Sequence, residues 1–392
     1  MASLVRLLAA PTRRRPSGAA GKLAAAVGLL LIAQGVSASK APGLELKRVA
    51  DFNQPIYLTS PRGDQRRLFV AERGGRVMIV RRGRKLKRPF LRLRGLVDLR
   101  FPSNQFRDQG GLLSMAFAPD YRSSGLFYLL YTHRDGTVHV DEFSRGRRGR
   151  ASRSSRRTVL SLPRRGRKDL GGHLEFGPDG LLYISLGCGN DIDSSQDLGE
   201  LAGKILRIDP RAAGDRPYTV PPTNPFVNSS TARPEILVSG LRNPWRFSFD
   251  PKTANLIVSD VGEERFEEVN LLQLQGPAFN LGWPLFEGRD SHDAGFAAGL
   301  TFPVLSISHR TGICAIVGGY VMRGRRLPSL RGRYVYGDVC SGRILSARLR
   351  FPRAGANRSE RLAVSYLDSF GRDGRGRLYA LSLLGTVYRI SG

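Results

Sequence analysis

Between Arg67 and Arg389 the chain repeats one local pattern six times: a short β-prone apolar run, a turn, and a second such run. The paired runs are 67–70 with 75–78, 126–129 with 137–140, 181–184 with 204–206, 256–258 with 268–271, 334–336 with 343–345, and 378–381 with 386–389. A further class of strand precedes several of them, as in Met115-Ala116-Phe117 and Phe247-Ser248-Phe249, and is followed by a Pro-Asp or Asp-Pro turn. The segment Phe176-Gly177-Pro178-Asp179-Gly180 shows the chemistry of such turns: proline presets φ at the first central position, and glycine supplies the positive φ that follows. Four-stranded units repeated about an axis make a β-propeller, so the pattern predicts an all-β, six-bladed ring closed by pairing N-terminal with C-terminal strands. Irregular spacing excludes a WD40-like array. Two packed sandwiches would also use these strands, but would not require six units of one grammar. In a ring, long loops gather on one face around the central channel, where a ligand binds.

Composition agrees. Forty-six glycines and 23 prolines in 392 residues mean many turns and few long helices, and 41% hydrophobic residues suffice for a packed core. The net charge of +29 favours anionic surfaces such as cell-envelope polymers, phospholipid or nucleic acid. The arginines cluster in loops, Arg81 to Arg94 and Arg145 to Lys168, without interleaved aromatics or a nucleic-acid motif. Nucleic acid is therefore not the expected partner; solvated basic loops are the favoured reading, with association with an anionic cell envelope through that surface as the alternative.

The N-terminus reads as an export signal over residues 1–38. Basic residues up to Lys22 precede an apolar stretch, 23–36, and Val36-Ser37-Ala38 offers small residues before a cleavage point. An uncleaved anchor is the other reading, although the run is short for a span. Arg13-Arg14-Arg15 hints at twin-arginine export, which Pro16 and Ser17 match poorly. Outside the cytoplasm disulfides persist. Cys314 and Cys340 lie near neighbouring strand signals and are expected to pair, leaving Cys188 free. No Cys/His spacing suggests zinc.

Several motifs follow in a fixed order: Gln109-Gly110-Gly111-Leu112, Gly171-Gly172-His173, Gly203-Lys204-Ile205-Leu206, Gly240-Leu241-Arg242-Asn243-Pro244 and Asp260-Val261-Gly262-Glu263, then Asn280-Leu281-Gly282-Trp283-Pro284, Gly318-Gly319-Tyr320 and Gly337-Asp338-Val339-Cys340. Together they resemble the soluble quinoprotein glucose/aldose (sorbosone) dehydrogenases and the related Hedgehog-interacting-protein-like propellers, over about residues 44–390. The resemblance implies one propeller domain over 44–392. It also implies oxidation of the C1 hydroxyl of an aldose to the lactone, with hydride transfer to pyrroloquinoline quinone (PQQ) held by calcium and cations, and an external electron acceptor. By position, Gln109 falls at the sugar/quinone pocket, Arg242 and Asn243 at the quinone, and Arg323 and Arg343 at further cationic contacts. The carbonyls of Gly262 and Glu263, with help from Glu267, fall at Ca²⁺. Several guanidinium groups suit a tricarboxylate, and calcium takes oxygen ligands.

The chain departs from the family at the base. Active members carry histidine two residues before the Gly-Gly; here that position is Asp169. A family acid after the next strand is here Cys188. A buried carboxylate with raised pKa is a competent base, but aspartate is shorter, and misplacement by about an ångström costs about 10²-fold in rate. His173, beyond the glycines, is either a substitute base or a structural histidine, and His309 is a secondary candidate. Two function classes follow: a sugar dehydrogenase with altered base chemistry, slow in turnover, and a non-catalytic propeller that binds sugar, envelope or protein.

Overall fold

The structure, a computed structural model, describes residues 43–98, 109–146, 149–163, 166–276, 278–292 and 298–392. The export-signal segment lies outside them. Six blades are arranged as a β-propeller, all antiparallel except for an added edge strand in blade 3, Phe279–Asn280, which pairs parallel with Ile236–Ser239. Their inner strands are Pro55–Thr59, Leu112–Phe117, Gly171–Phe176, Arg246–Phe249, Ile316–Val321 and Leu367–Arg372, which we take as blades 1 to 6. Each of the six hairpins read from the sequence supplies the second and third strands of one blade. The ring closes as expected: Glu45–Asp51 pairs antiparallel with Thr386–Ser391 and becomes the outer strand of blade 6.

Burial explains the strand order. The inner and middle strands pack against neighbouring blades on both faces and read as continuous apolar runs, such as Leu112–Phe117, buried throughout. Outer strands meet water on one side and are polar, as in Ala151–Pro163. Residues leaving the six inner strands line one shared cavity of about 1150 Å³, so all six run the same way along the axis. We call that end lower, and the end at which the strands begin upper. Cys314 and Cys340 form the expected disulfide, with Cα atoms 5.9 Å apart, and Cys188 is free and buried. Among the described residues no helix is long and apolar enough to cross a membrane.

Candidate active site at the upper mouth

The upper mouth is built on glycine. Gly171 and Gly172 have φ of 62° and 107°, where the pairing of blade 3's first two strands shifts register. A Cβ on Gly171 would stand 2.7 Å from Gly187 N, and one on Gly187 only 2.0 Å from Asp169 O. Only glycine allows this approach. The chain bends so sharply there that Asp169 itself takes φ 53°, unusual for a residue with a side chain.

The bend delivers Asp169 to Arg242. Asp169 is 6% exposed, and its two oxygens lie 3.1 and 3.3 Å from the two terminal nitrogens of the guanidinium. Asp260, at the end of Leu256–Asp260, fixes the Leu-Arg-Asn-Pro turn by accepting from Arg242 N at 2.9 Å and Asn243 N at 2.7 Å. Asn243 Oδ1 accepts from Gly171 N at 2.9 Å, and Gln109 Oε1 accepts from Leu170 N at 3.0 Å. Gln109, Asp169, Arg242, Asn243, Gly262 and Glu263 thus share one corner. Burial pushes the Asp169 carboxyl up while Arg242 pulls it down, and the net shift is upward. Cys188 closes the corner from beneath, its thiol pushed up to about 12 by burial, so it is an inert packing group.

Other candidates sit elsewhere. Arg323 is not at this mouth. It follows blade 5's inner strand and lines the lower cavity, where Nε donates to Asp250 Oδ1 at 2.9 Å. Arg343 is at the upper end, but its guanidinium donates to Thr311 O at 3.1 Å and Ser341 Oγ at 3.2 Å, away from Arg242. His173 is 1% exposed and points into the core, its ring edge-on to Tyr57 and Phe247 and its Nδ1 3.2 Å from Ser114 Oγ. Burial holds its pKa well below the usual range, so it is a neutral structural ring that does not reach Asp169's corner. His309 Nε2 lies 2.7 Å from Glu267 Oε1, and this partner raises the imidazole pKa.

The residues as placed make no calcium cage. Arg242 Nη1 donates to Gly262 O at 2.9 Å and reaches Val261 O at 3.3 Å, so a cation already takes one of the two carbonyls expected at the metal. Glu267 is fully buried and its oxygens are already engaged, accepting from Ile316 N at 2.8 Å, from His309 and, at 3.4 Å, from Gly262 N. The loop is instead organised by Glu287, whose Oε1 accepts from the backbone N–H groups of Glu263, Glu264, Arg265 and Phe266 at 2.8 to 3.1 Å. A further group, His133, Asp135 and His139, brings ligand-type atoms within 4.8 Å of one another at the turn of blade 2. There the Arg156 guanidinium stands 3.3 Å from His139 Nδ1, poor company for a metal.

Sequence reasoning missed three residues: Asp260, Glu287 and Arg246. Arg246 is 2% exposed and donates to Ile56 O at 2.8 Å, Trp245 O at 2.9 Å and Ser369 Oγ at 2.9 Å, with Leu113 O and Gly172 O at 3.4 Å. One guanidinium touching blades 1, 2, 3 and 6 from blade 4 lies on the axis and stoppers the channel. Its position next to Trp245 at the head of an inner strand was the available signal.

The profile of the family described as Glucose / Sorbosone dehydrogenase matches residues 52–371. The Hedgehog-interacting protein of Mus musculus is 30% identical over 368 residues, covering 85% of this chain and 49% of that protein. The HIPL2 protein of Arabidopsis thaliana is 30% identical over 296 residues, 62% of this chain and 41% of that protein. The aldose sugar dehydrogenase YliI of Escherichia coli is 30% identical over 227 residues, 57% of each. The chain thus spans about half the length of the curated relatives it matches. Among solved structures, the PQQ-bound aldose sugar dehydrogenase of Streptomyces coelicolor superposes with a TM-score of 0.71 at 23% identity, over 89% of this chain and 98% of that one. The soluble aldose sugar dehydrogenase of Escherichia coli, in its apo-form, gives 0.71 at 22%, over 89% and 99%. Those two likenesses concern the fold; the family profile and the sequence relatives carry more, and the chain belongs to the glucose/sorbosone dehydrogenase family.

Proposed function

We propose that this protein is an exported sugar oxidoreductase of low turnover, binding an aldose and PQQ at the upper mouth, with Asp169 as acceptor of the C1 hydroxyl proton. The observation that carries this reading is the Asp169–Arg242 pair, with donor distances of 3.1 and 3.3 Å; by the sequence resemblance these two residues correspond to the family's base and a quinone contact. The guanidinium and amide donors of Arg242, Asn243 and Gln109 fit the chemistry of a tricarboxylate. PQQ, when bound, supplies the acceptor for the hydride leaving C1. Asp169 takes the hydroxyl proton at a carboxylate oxygen, and to do so that oxygen must first leave Arg242. The ion pair and the short reach of aspartate both slow the step. Electrons pass on to an external acceptor.

A second reading, binding without turnover, is favoured by Arg242 standing on the Gly262 carbonyl at 2.9 Å. One experiment separates the two. The protein lacking residues 1–38 is mixed with PQQ, with and without calcium, and cofactor absorbance and aldose-dependent dye reduction are followed. Slow reduction is expected. Asp169→Asn should abolish it with quinone affinity nearly unchanged, and Asp169→His should raise it about tenfold or more, since imidazole restores reach and a pKa near neutrality. A His variant no faster than the parent, with quinone bound, refutes the role of Asp169. Absence of quinone binding leaves the binding propeller.

A further inference from the structure

The lower end of the ring carries a cavity of about 1150 Å³ that the upper-mouth chemistry does not use. Eight arginines line it against three acidic side chains, Glu175, Asp250 and Asp373. Two of the arginines are fixed by two of the acids: Arg323 by Asp250, and Arg377 by Asp373 with Nε 2.6 Å from Oδ2. The side chains of the other six, Arg62, Arg325, Arg326, Arg372, Arg375 and Arg389, make no hydrogen bond or ion pair with a described residue. They are not spread around the ring. All come from blades 5, 6 and 1, so the cationic groups form an arc on one side. Blades 2 and 3 face that arc with Met115, Phe117, Leu174 and Phe176.

The neck of the cavity is polar and unsatisfied. Tyr57 and Tyr320 bring their hydroxyls within 3.2 Å, and the Arg372 guanidinium lies 4.9 Å above the Tyr320 ring. Glu175 keeps 20% of its side-chain surface, yet its Oε2 is buried without a hydrogen-bond partner, as is His173 Nε2, 3.7 Å away. Buried polar atoms left without partners are costly, and the part of the Glu175 carboxyl that faces the cavity offers an acceptor to a ligand donor in the neck. Uncompensated guanidinium groups gathered on one wall suit clustered anionic oxygens.

We propose that this cavity is a second binding site, for a small molecule that carries at least two phosphate or carboxylate groups and, beside them, hydroxyls. The anionic groups meet the arc of Arg62, Arg372, Arg375 and Arg389, a hydroxyl donates to Glu175 in the neck, and the carbon skeleton lies against Phe117 and Phe176. Arg246 separates this site from the upper mouth.

Isothermal titration of the protein lacking residues 1–38 at ~0.15 M salt, where interactions between exposed charges are strongly screened, tests the site with two probes. Fructose 1,6-bisphosphate represents the phosphates and citrate the carboxylates. One-to-one binding of at least one probe is expected, and the tighter probe names the anionic group. Arg372→Gln with Arg389→Gln should weaken it tenfold or more. Arg84→Gln with Arg94→Gln, both exposed and outside the cavity, should change it less than twofold. Should the first pair misfold by circular dichroism, the exposed Arg62→Gln with Arg375→Gln takes its place. Saturable binding by neither probe overturns the proposal. So does equal weakening by the control pair, which would mean general attraction to a basic surface.

Discussion

At the scale of single residues, buried charge does most of the organising. Burial pushes Glu175 up to about 7, with Arg372 pulling the other way. A carboxyl whose folded-state pKa exceeds its unfolded one favours the fold when protonated. Its contribution is whole below about pH 4.5 and is lost as the pH rises through 7, a swing of roughly 3 kcal/mol at most. Glu175→Gln is uncharged throughout. It is expected to raise stability by roughly 2–3 kcal/mol at pH 8 and to change it little at pH 4.5, as read from urea unfolding at the two values. Equal effects at both would show that Glu175 does not titrate in the fold. The site was only partly legible from such residues. Asp169, Arg242 and Asn243 came together because each sits in a motif whose backbone geometry is local. Arg323 did not join them, because a position near a Gly-Gly-Tyr strand says nothing about which end of that strand faces the ligand. Arg246 was hidden because one more arginine in a chain of 62 Lys and Arg carries little contrast, and its place beside Trp245 was the one cue.

Elements show the same division. The hairpins were readable because both strands are buried and apolar. The outer strands were not, since Ala151–Pro163 and Gly355–Ala363 are rich in serine and arginine, and their pairing is fixed by the blade they cover. The loop 261–266 illustrates a local element governed from a distance. Its acidic sequence suggested a cation site, yet its N–H groups converge on Glu287. Burial raises that carboxyl and the converging N–H groups outweigh it, leaving its pKa below the usual range. Glu287→Ala would strand four backbone donors, and a loss of about 2–4 kcal/mol is expected. Glu287→Gln, which keeps the acceptor oxygen, should lose less. Thermal melts, with limited proteolysis across 261–266, check both. An alanine variant as stable as the parent would mean the loop holds itself.

For the whole molecule, closure is the decisive contact. Among the described residues Glu45–Asp51 forms a strand ladder with the last strand alone, over a register from Glu45↔Ser391 to Asp51↔Thr386. Deleting Thr386–Gly392 removes one strand of blade 6 and strips the partner from another, leaving two open sheet edges. The expected result is a broad melt at lower temperature, with dye-binding apolar surface, in place of one cooperative transition. A truncated chain that melts as sharply as the intact one would show that five blades and a remnant suffice. The Arg246 stopper has a consequence for traffic. With a guanidinium across its axis, the ring is two blind alleys set back to back. Whatever enters by one door must leave by the same door, so residence times at the two ends answer to different rims and can be tuned by mutation one at a time.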